Sequence, residues 1–470
     1  MSATSYDLVV IGSGPAGEKG AAQAAYFGKK VALIERAPFF GGAGINTGTL
    51  PSKALREAAL YFSGLRQRGL YSIDYSLRDN LTFADFTSRQ KVVVTREHAI
   101  IKHNLERHQV SVFWGEGTLI DAHTVRVHTH EGVDVDLETE IILIATGSSP
   151  YHPPDIPFDG RLILDSDSVL RMGYIPKTAA VVGGGVIGCE YASIFAALGI
   201  QTTLIDRNER ILSFVDREIV ARLTDYLGGL GLRQIFGEPN LRTEKLENSV
   251  CLTLSSGEEI IVDGVLFASG RQSNSAGLGL EALHIELGSR GLILVNDRYQ
   301  TSIPNIYAAG DVIGFPALAS TSMEQARVAM VHAFDLRYKE YVSPVLPLAV
   351  YTVPEIAMVG LTEEACQQQN IPYLVGRAAS ENNPRGQIMG DKGMLKLIFA
   401  PKDKKLLGVH LIGELASELV HIGAQVLAEN GTLHAFIQAV YNYPTLSDMY
   451  KYAAYDGLGN WERWWHESQP

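Results

Sequence analysis

Short apolar runs alternate with longer stretches of helical period along most of this chain. Residues 6–11, 31–35, 141–145, 179–182, 202–206, 265–269 and 305–309 are β-branched or aliphatic runs, most closing on glycine or an acid. Such runs predict strands buried on both faces. Alanine-rich stretches follow Gly17 and Gly188, and residues 80–108 and 319–334 carry helical periodicity. Strand–helix alternation of this kind predicts an α/β fold with parallel sheets. From residue 345 the pattern changes. Strand runs at 395–399 and 407–412 are mixed with helices at 414–429 and 432–439, which predicts a separate α+β domain. The Pro-rich stretch 149–157 is a natural linker. The expected order is a Rossmann-like domain over 1–154, a second one over 155–276, a return to the first over 277–344, and a C-terminal domain over 345–470 with a Trp-rich tail.

The sharpest signal is a motif that occurs twice. Gly12-Ser-Gly14-Pro15-Ala16-Gly17 and Gly183-Gly-Gly185-Val186-Ile187-Gly188 each follow a strand and open a helix. A second strand then ends in an acid, Glu35 or Asp206, at the same distance from the first glycine: 35 − 12 = 23 and 206 − 183 = 23. In this motif the first glycine permits the tight turn. The second lets backbone approach a pyrophosphate, and the third lets helix and strand pack. The helix N-terminus offers N–H groups and positive dipole to phosphate. The distal carboxylate accepts from a ribose diol. Two such sites on one chain predict a redox flavoprotein that also binds a nicotinamide nucleotide. Asp206 suits a free 2′-hydroxyl, while Arg207 and Arg210 are placed to meet a 2′-phosphate.

Composition narrows the class. The chain has 470 residues, 46% hydrophobic and 20% charged, within the ordinary globular range. Its formal charge is 40 − 52 = −12, which argues against a nucleic-acid partner. Cys189, Cys251 and Cys366 are scattered, with neither disulfide nor metal-ligand spacing, as in a reducing compartment. No basic and apolar leader precedes residue 6, and no apolar run approaches the roughly 18 residues that span a bilayer. A cytoplasmic protein with no membrane partner and no metal is the expectation. Cys189, on the second fingerprint helix, reads as a small core residue.

Both fingerprints, Pro51-Ser52-Lys53, Ala145-Thr146-Gly147, Gly310-Asp311 and Tyr351-Thr-Val-Pro-Glu355 together resemble the flavin-dependent pyridine nucleotide–disulfide oxidoreductases. Residues 149–154, 165–169, 188–193, 314–320 and 441–445 are most similar to its soluble pyridine nucleotide transhydrogenases. The resemblance implies two Rossmann-like domains, a C-terminal dimerisation domain, FAD as cofactor, NAD(H) and NADP(H) as substrates, and a homodimer. For FAD it implies Gly12, Gly14, Pro15, Ala16 and Gly17 at the pyrophosphate, and Glu35 with Arg36 at the adenosine. It further implies Gly41, Gly42, Thr49, Thr146, Gly147 and Gly310 in the binding loops, backbone at Gly117 beside the adenine, and Asp311 at the ribityl chain. The helix beginning near Ala319 would face the flavin pyrimidine ring. Lys53 would stand beside the reactive flavin nitrogen, paired with Glu190. For the nicotinamide nucleotide it implies Gly183, Gly185, Val186, Ile187, Gly188, Glu190, Asp206, Arg207 and Gly270.

The departures matter as much. The two redox cysteines of the disulfide reductases fall at Gly44 and Thr49, so neither sulfur is present. Tyr443 stands where their C-terminal histidine would be, and Asp448 where their glutamate would be. A phenol does not exchange protons near neutrality as an imidazole does. The expected reaction is therefore NADPH + NAD⁺ ⇌ NADP⁺ + NADH, ping-pong through the flavin without a disulfide. The alternatives are an NAD(P)H:quinone or dye reductase, and a weakly catalytic flavoprotein acting as a redox-sensing or binding subunit. Trp461, Trp464 and Trp465 are expected to pack on this chain or its dimer mate near the face vacated by the dithiol.

Overall fold

The computed structural model describes residues 4–65 and 82–468. The chain divides into two compact units. The first comprises Met1–Ala54, Thr87–Pro153 and Ser269–Val342; the second comprises Leu55–Phe86, Pro154–Ala268 and Ser343–Pro470.

The first unit is built on a six-stranded sheet. Thr4–Ile11 runs parallel to Val31–Glu35 on one side and to Asp134–Ile144 on the other. Ser111–Asp121 pairs in parallel with Val31–Glu35, then turns back through Thr124–Thr129 to Asp134–Ile144 as an antiparallel meander. Ile306–Ala308 adds a parallel edge. All five residues of Val31–Glu35 are buried, as expected for a strand covered on both faces. One face carries the helices Pro15–Tyr26 and Ala319–Ala333. Their approach is close at Gly20, where a Cβ would lie 2.4 Å from Leu143 Cδ2 and 3.5 Å from the Ala326 Cβ. Ser148–Pro150 and Arg271–Ser273 form an antiparallel pair in this unit. That pairing is why residues 269–276 lie with the first unit and not with the segment before them.

The second unit repeats the plan. Arg233–Ile235, Gln201–Ile205, Thr178–Val182, Gly264–Phe267 and Ile163–Leu164 form, in that order, a wholly parallel sheet. A three-stranded antiparallel sheet, Arg242–Lys245, Val250–Thr253 and Glu259–Val262, is inserted in the chain before Gly264–Phe267. Residues 343–468 add a five-stranded antiparallel sheet in the order Leu348–Val350, Glu355–Gly360, Leu406–Gly413, Met394–Phe399, Leu374–Ala379. It is packed by Ala416–Ala428 and Met449–Glu467.

Helix periodicity at 80–108 corresponds to Phe83–Arg107. The glycine-rich stretch before Pro51, expected as a loop, contains a short helix, Gly42–Asn46, and the next helix already begins at Thr49. Asn46 explains the first: its Nδ2 donates to Phe40 O and Gly42 O, both at 2.9 Å, closing the turn on itself. The Trp-rich tail is the end of the helix Met449–Glu467; its Trp461 packs on its own chain, while Trp465 is 46% exposed. Trp461 Nε1 donates to Pro401 O at 2.8 Å, and Lys404 Nζ lies 3.4 Å from its ring centroid. Among the described residues no helix is long and apolar enough to cross a membrane.

Candidate functional site

Each unit holds one of the two fingerprint turns, and these have nearly the same geometry. Gly12 has φ +100° and Gly183 φ +114°, conformations that L side chains rarely adopt. A Cβ at Gly12 would lie 2.5 Å from Ala145 O, and one at Gly183 would lie 2.5 Å from Ala268 O. A Cβ at Gly17 would lie 1.8 Å from Gly12 O, and one at Gly188 would lie 1.7 Å from Gly183 O. Neither third glycine can be replaced while the helix sits where it does. The second glycines differ in kind, because a Cβ at Gly185 meets nothing within 4 Å and one at Gly14 meets only Gly42 Cα, at 3.9 Å. There backbone lies open at a helix start, and neither Gly14 nor Gly185 supplies a side-chain cap to the N–H groups of its helix. Such a terminus accepts phosphate oxygens.

The distal carboxylates are tied to these turns. Glu35 is buried; its Oε2 accepts from Ser13 N at 2.9 Å and Ser13 Oγ at 2.5 Å, and its Oε1 accepts from Ala37 N at 2.7 Å. Asp206 is likewise buried and accepts from Gly184 N and, at 2.6 Å, from Asn208 N. In both cases the acid ending the second strand hydrogen-bonds the residue after the first glycine. The equal spacing seen in the sequence is thus one three-dimensional device used twice. Ser13 was not singled out from the sequence, although its place inside the first fingerprint marked it.

In the first unit several of the other implied residues lie against this turn. Gly41, at φ +96°, donates its N–H to Ser13 O at 3.1 Å; Gly42 stands against Gly14, and Pro15 opens the helix. Gly117 lies over Ile11 and Ile34, where a Cβ would be 3.3 and 3.2 Å away. Gly310, at φ +84°, presses on Ala16, and its N–H donates to Gln325 Oε1 at 2.9 Å. Asp311 Oδ2 accepts from Ser148 Oγ at 2.8 Å, and Ser148 Oγ in turn accepts from Arg271 Nε at 2.7 Å. Asn274 closes the Thr146–Gly147 turn, donating to Thr146 O and Gly147 O. Ser148, Arg271 and Asn274 had no sequence signal of their own; the strand pair that aligns them is a tertiary contact. Gly270 has φ +96° and lies in the first unit. Arg36 is exposed, and its carbonyl is taken by His130 at 3.0 Å. Ala319 begins a helix with no side-chain cap. Thr49 begins the helix that carries Lys53, whose Nζ donates to Ser52 Oγ at 3.2 Å.

A dinucleotide such as FAD fits these residues. The Thr146 Oγ1 is buried and, among the described residues, has no hydrogen-bond partner. A buried hydroxyl without a partner costs about 1–3 kcal/mol, so a polar ligand at this turn would be favoured.

In the second unit Val186 and Ile187 open the helix after Gly185 and are partly buried. Glu190 is buried, and its Oε1 accepts from Tyr351 N at 3.0 Å. Cys189 Sγ donates to Gly184 O at 3.3 Å, and burial pushes its thiol up, away from nucleophilic use. Arg207 is exposed. Arg210, expected with Arg207 to stand ready for a 2′-phosphate, already has partners within its own chain. It is partly buried, its Nη2 donates to Ser213 O at 2.7 Å, and its Nη1 lies 3.5 Å from Glu364 Oε1. Tyr443 is 74% exposed, and Asp448 stands at the start of the last helix.

Comparison with known proteins agrees with this architecture. Residues 6–333 match the family described as pyridine nucleotide-disulphide oxidoreductase, and residues 346–454 match its dimerisation domain. The chain is 44% identical over 453 residues to a soluble pyridine nucleotide transhydrogenase of Mycobacterium bovis, covering 96% of this chain and 97% of that one. It is 40% identical over 462 residues to one of Marinomonas sp., covering 97% and 99%. Among solved structures it is similar to LpdA of Mycobacterium tuberculosis (TM-score 0.89, 26% identity, covering 96% and 99%). It is also similar to the HOCl-induced flavoprotein disulfide reductase RclA of Escherichia coli (TM-score 0.84, 28% identity, covering 95% and 99%).

Proposed function

Because this chain belongs to the pyridine nucleotide-disulphide oxidoreductase family, we propose that it transfers hydride between NADPH and NAD⁺ by a ping-pong mechanism, without a redox disulfide. The observation that carries this reading is the pair of matching glycine–carboxylate turns, one per unit, on a chain with Gly44 and Thr49 where the dithiol would stand. FAD, when bound, supplies a relay that takes two electrons from one nicotinamide nucleotide and returns them to another.

The protein's part is binding, orientation and electrostatics. Gly12, Gly14 and Gly17, with the N-terminus of Pro15–Tyr26, hold the FAD pyrophosphate, and Glu35 holds its adenosine ribose. Gly117, Thr146, Gly147, Gly310 and Asp311 line the rest of that site. Lys53 would set its ammonium beside the reactive flavin nitrogen, and the N-terminus of Ala319–Ala333 would turn its dipole to the ring. Gly183, Gly185 and Gly188 receive the pyrophosphate of the nicotinamide nucleotide, Asp206 its ribose, and Arg207 a 2′-phosphate when present. The dimerisation-domain match supports a homodimer in which the exposed Tyr443, with Asp448, closes the partner's site.

The test is anaerobic. The purified yellow protein is reduced by NADPH, then offered NAD⁺, and the reverse pair follows. Recolouring by the opposite oxidised nucleotide is expected in both directions. A bleached protein recoloured only by quinones would replace this reading with that of a quinone reductase, and a protein bleached by neither nucleotide would remove the enzyme reading.

A further inference from the structure

Resting on that reading, we infer that Glu364 is the residue that sets nucleotide preference in the second site, by holding Arg210 away from the 2′-phosphate. The loop after Asp206 does not leave the nucleotide turn. Leu212 N–H donates to Gly184 O at 2.8 Å, and Gly184 N–H donates to Asp206, so residues 207–212 arch over the turn that receives the nucleotide. Two arginines stand on this arch. Arg207 is exposed, and among the described residues no carboxylate pairs with its guanidinium. Arg210 instead has Glu364 as a partner, at the start of the helix Glu363–Gln368.

Glu364 is well placed to retain it. Its Oε1 also accepts from Arg217 N at 3.0 Å and lies 3.6 Å from Arg217 Nε, so the carboxylate is anchored at the start of the helix Arg217–Gly229. Arg210 is fixed at both ends of its guanidinium by Ser213 O and Glu364. Yet the arrangement is loosely made. The ion pair is 3.5 Å long, and the Glu364 Oε2 is buried with no hydrogen-bond partner among the described residues. Such a pair restrains the arginine without burying it beyond reach.

The consequence is specific to an enzyme that must take both nucleotides in turn. With both arginines free, a 2′-phosphate would gain two charge-assisted contacts, and NADP(H) would outcompete NAD(H) at the shared site. With Arg210 withheld, Arg207 alone meets the phosphate while Asp206 serves the unphosphorylated ribose. Glu364 acts through Arg210, so it is a positioning residue and touches no substrate.

The test measures binding to the FAD-loaded protein with 2′,5′-ADP and 5′-AMP as probes, by calorimetry. Glu364→Gln should tighten 2′,5′-ADP about tenfold, equal to about 1.4 kcal/mol, and leave 5′-AMP within twofold. Adding Arg210→Ala should return 2′,5′-ADP to the wild-type value. Arg210→Ala alone needs no release of the loop, and should leave 2′,5′-ADP within twofold while Arg207→Ala weakens it. In turnover, Glu364→Gln should lower KM for NADPH more than for NADH. The inference is overturned if Glu364→Gln shifts both probes equally or neither. It is also overturned if Arg210→Ala alone weakens 2′,5′-ADP. Should wild-type protein bind neither probe, the proposed function falls with it; 5′-AMP binding with an unresponsive 2′,5′-ADP would remove this inference alone.

Discussion

Lys396 is a fully buried charge, and replacing it with Met should destabilise the second unit strongly. Its side chain is 1% exposed and its Nζ meets Asp216 at 2.8 and 2.9 Å, Glu218 at 3.0 Å, and Glu363. Asp216 is equally buried, at 1%. Removing one partner of a buried pair costs about 3–5 kcal/mol, because the other charge stays buried. Here Asp216 would keep the N–H of Glu218 at 3.1 Å, and Glu218 and Glu363 are 29% and 26% exposed and can take up water. We therefore expect the lower end, about 3 kcal/mol. At roughly 2–4 °C per kcal/mol for units of this size, the thermal transition should fall by about 6–12 °C.

The pH dependence follows from the same contacts. Burial opposes ionisation of Asp216, but the positive groups and donors around it, Lys396 foremost at neutral pH because burial holds His410 below 6.5, keep its carboxyl below 3.8. Its contribution is present above 3.8 and lost as pH falls through the lower folded value. Burial likewise opposes the Lys396 ammonium, and its carboxylates overcome this and raise it above 10.5; its contribution is full below 10.5 and lost as pH rises beyond. The gap between wild type and Lys396→Met should therefore be flat from about pH 5 to 10 and shrink outside that range. The assay is urea and thermal unfolding of the FAD-loaded protein across this pH range. Lys396→Met with Asp216→Asn should recover more than half of the loss. A single variant within about 1 kcal/mol of wild type at pH 7 would refute the reasoning, as would a gap unchanged at pH 3.

Three further outcomes are expected. Lys53→Met should slow bleaching of the yellow protein by NADPH at least tenfold while FAD stays bound, and stopped-flow traces matching wild type would remove Lys53 from the site. Gly17→Ala should abolish FAD retention, since its Cβ would stand 1.8 Å from Gly12 O; a folded protein that keeps its yellow colour through gel filtration counts against the pyrophosphate assignment. Ending the chain at Gly459 removes the Trp461 contacts with Pro401 and Lys404, and should cost about 2 kcal/mol, below the 3–5 of a fully buried tryptophan. An unchanged melting temperature would mean the tail only decorates the surface.

The sequence by itself determined the two glycine turns, the acids that close them and the parallel strands they hang from. The reason is local: Gly12, Gly17, Gly183 and Gly188 sit where a Cβ would strike backbone, so the requirement is written as residue type at fixed spacing. That Gly44 and Thr49 carry no sulfur was legible directly, as residue type. Availability of a charged group was not legible. Arg210 beside Asp206 looked ready for a phosphate, and only the folded chain brings it to Glu364, 154 residues away. Lys396 is an ordinary lysine in a strand run until Asp216, 180 residues distant, makes it a buried ion. Backbone shape answers to neighbours in the chain. The state of a charge answers to neighbours in space, and those are chosen by the tertiary packing.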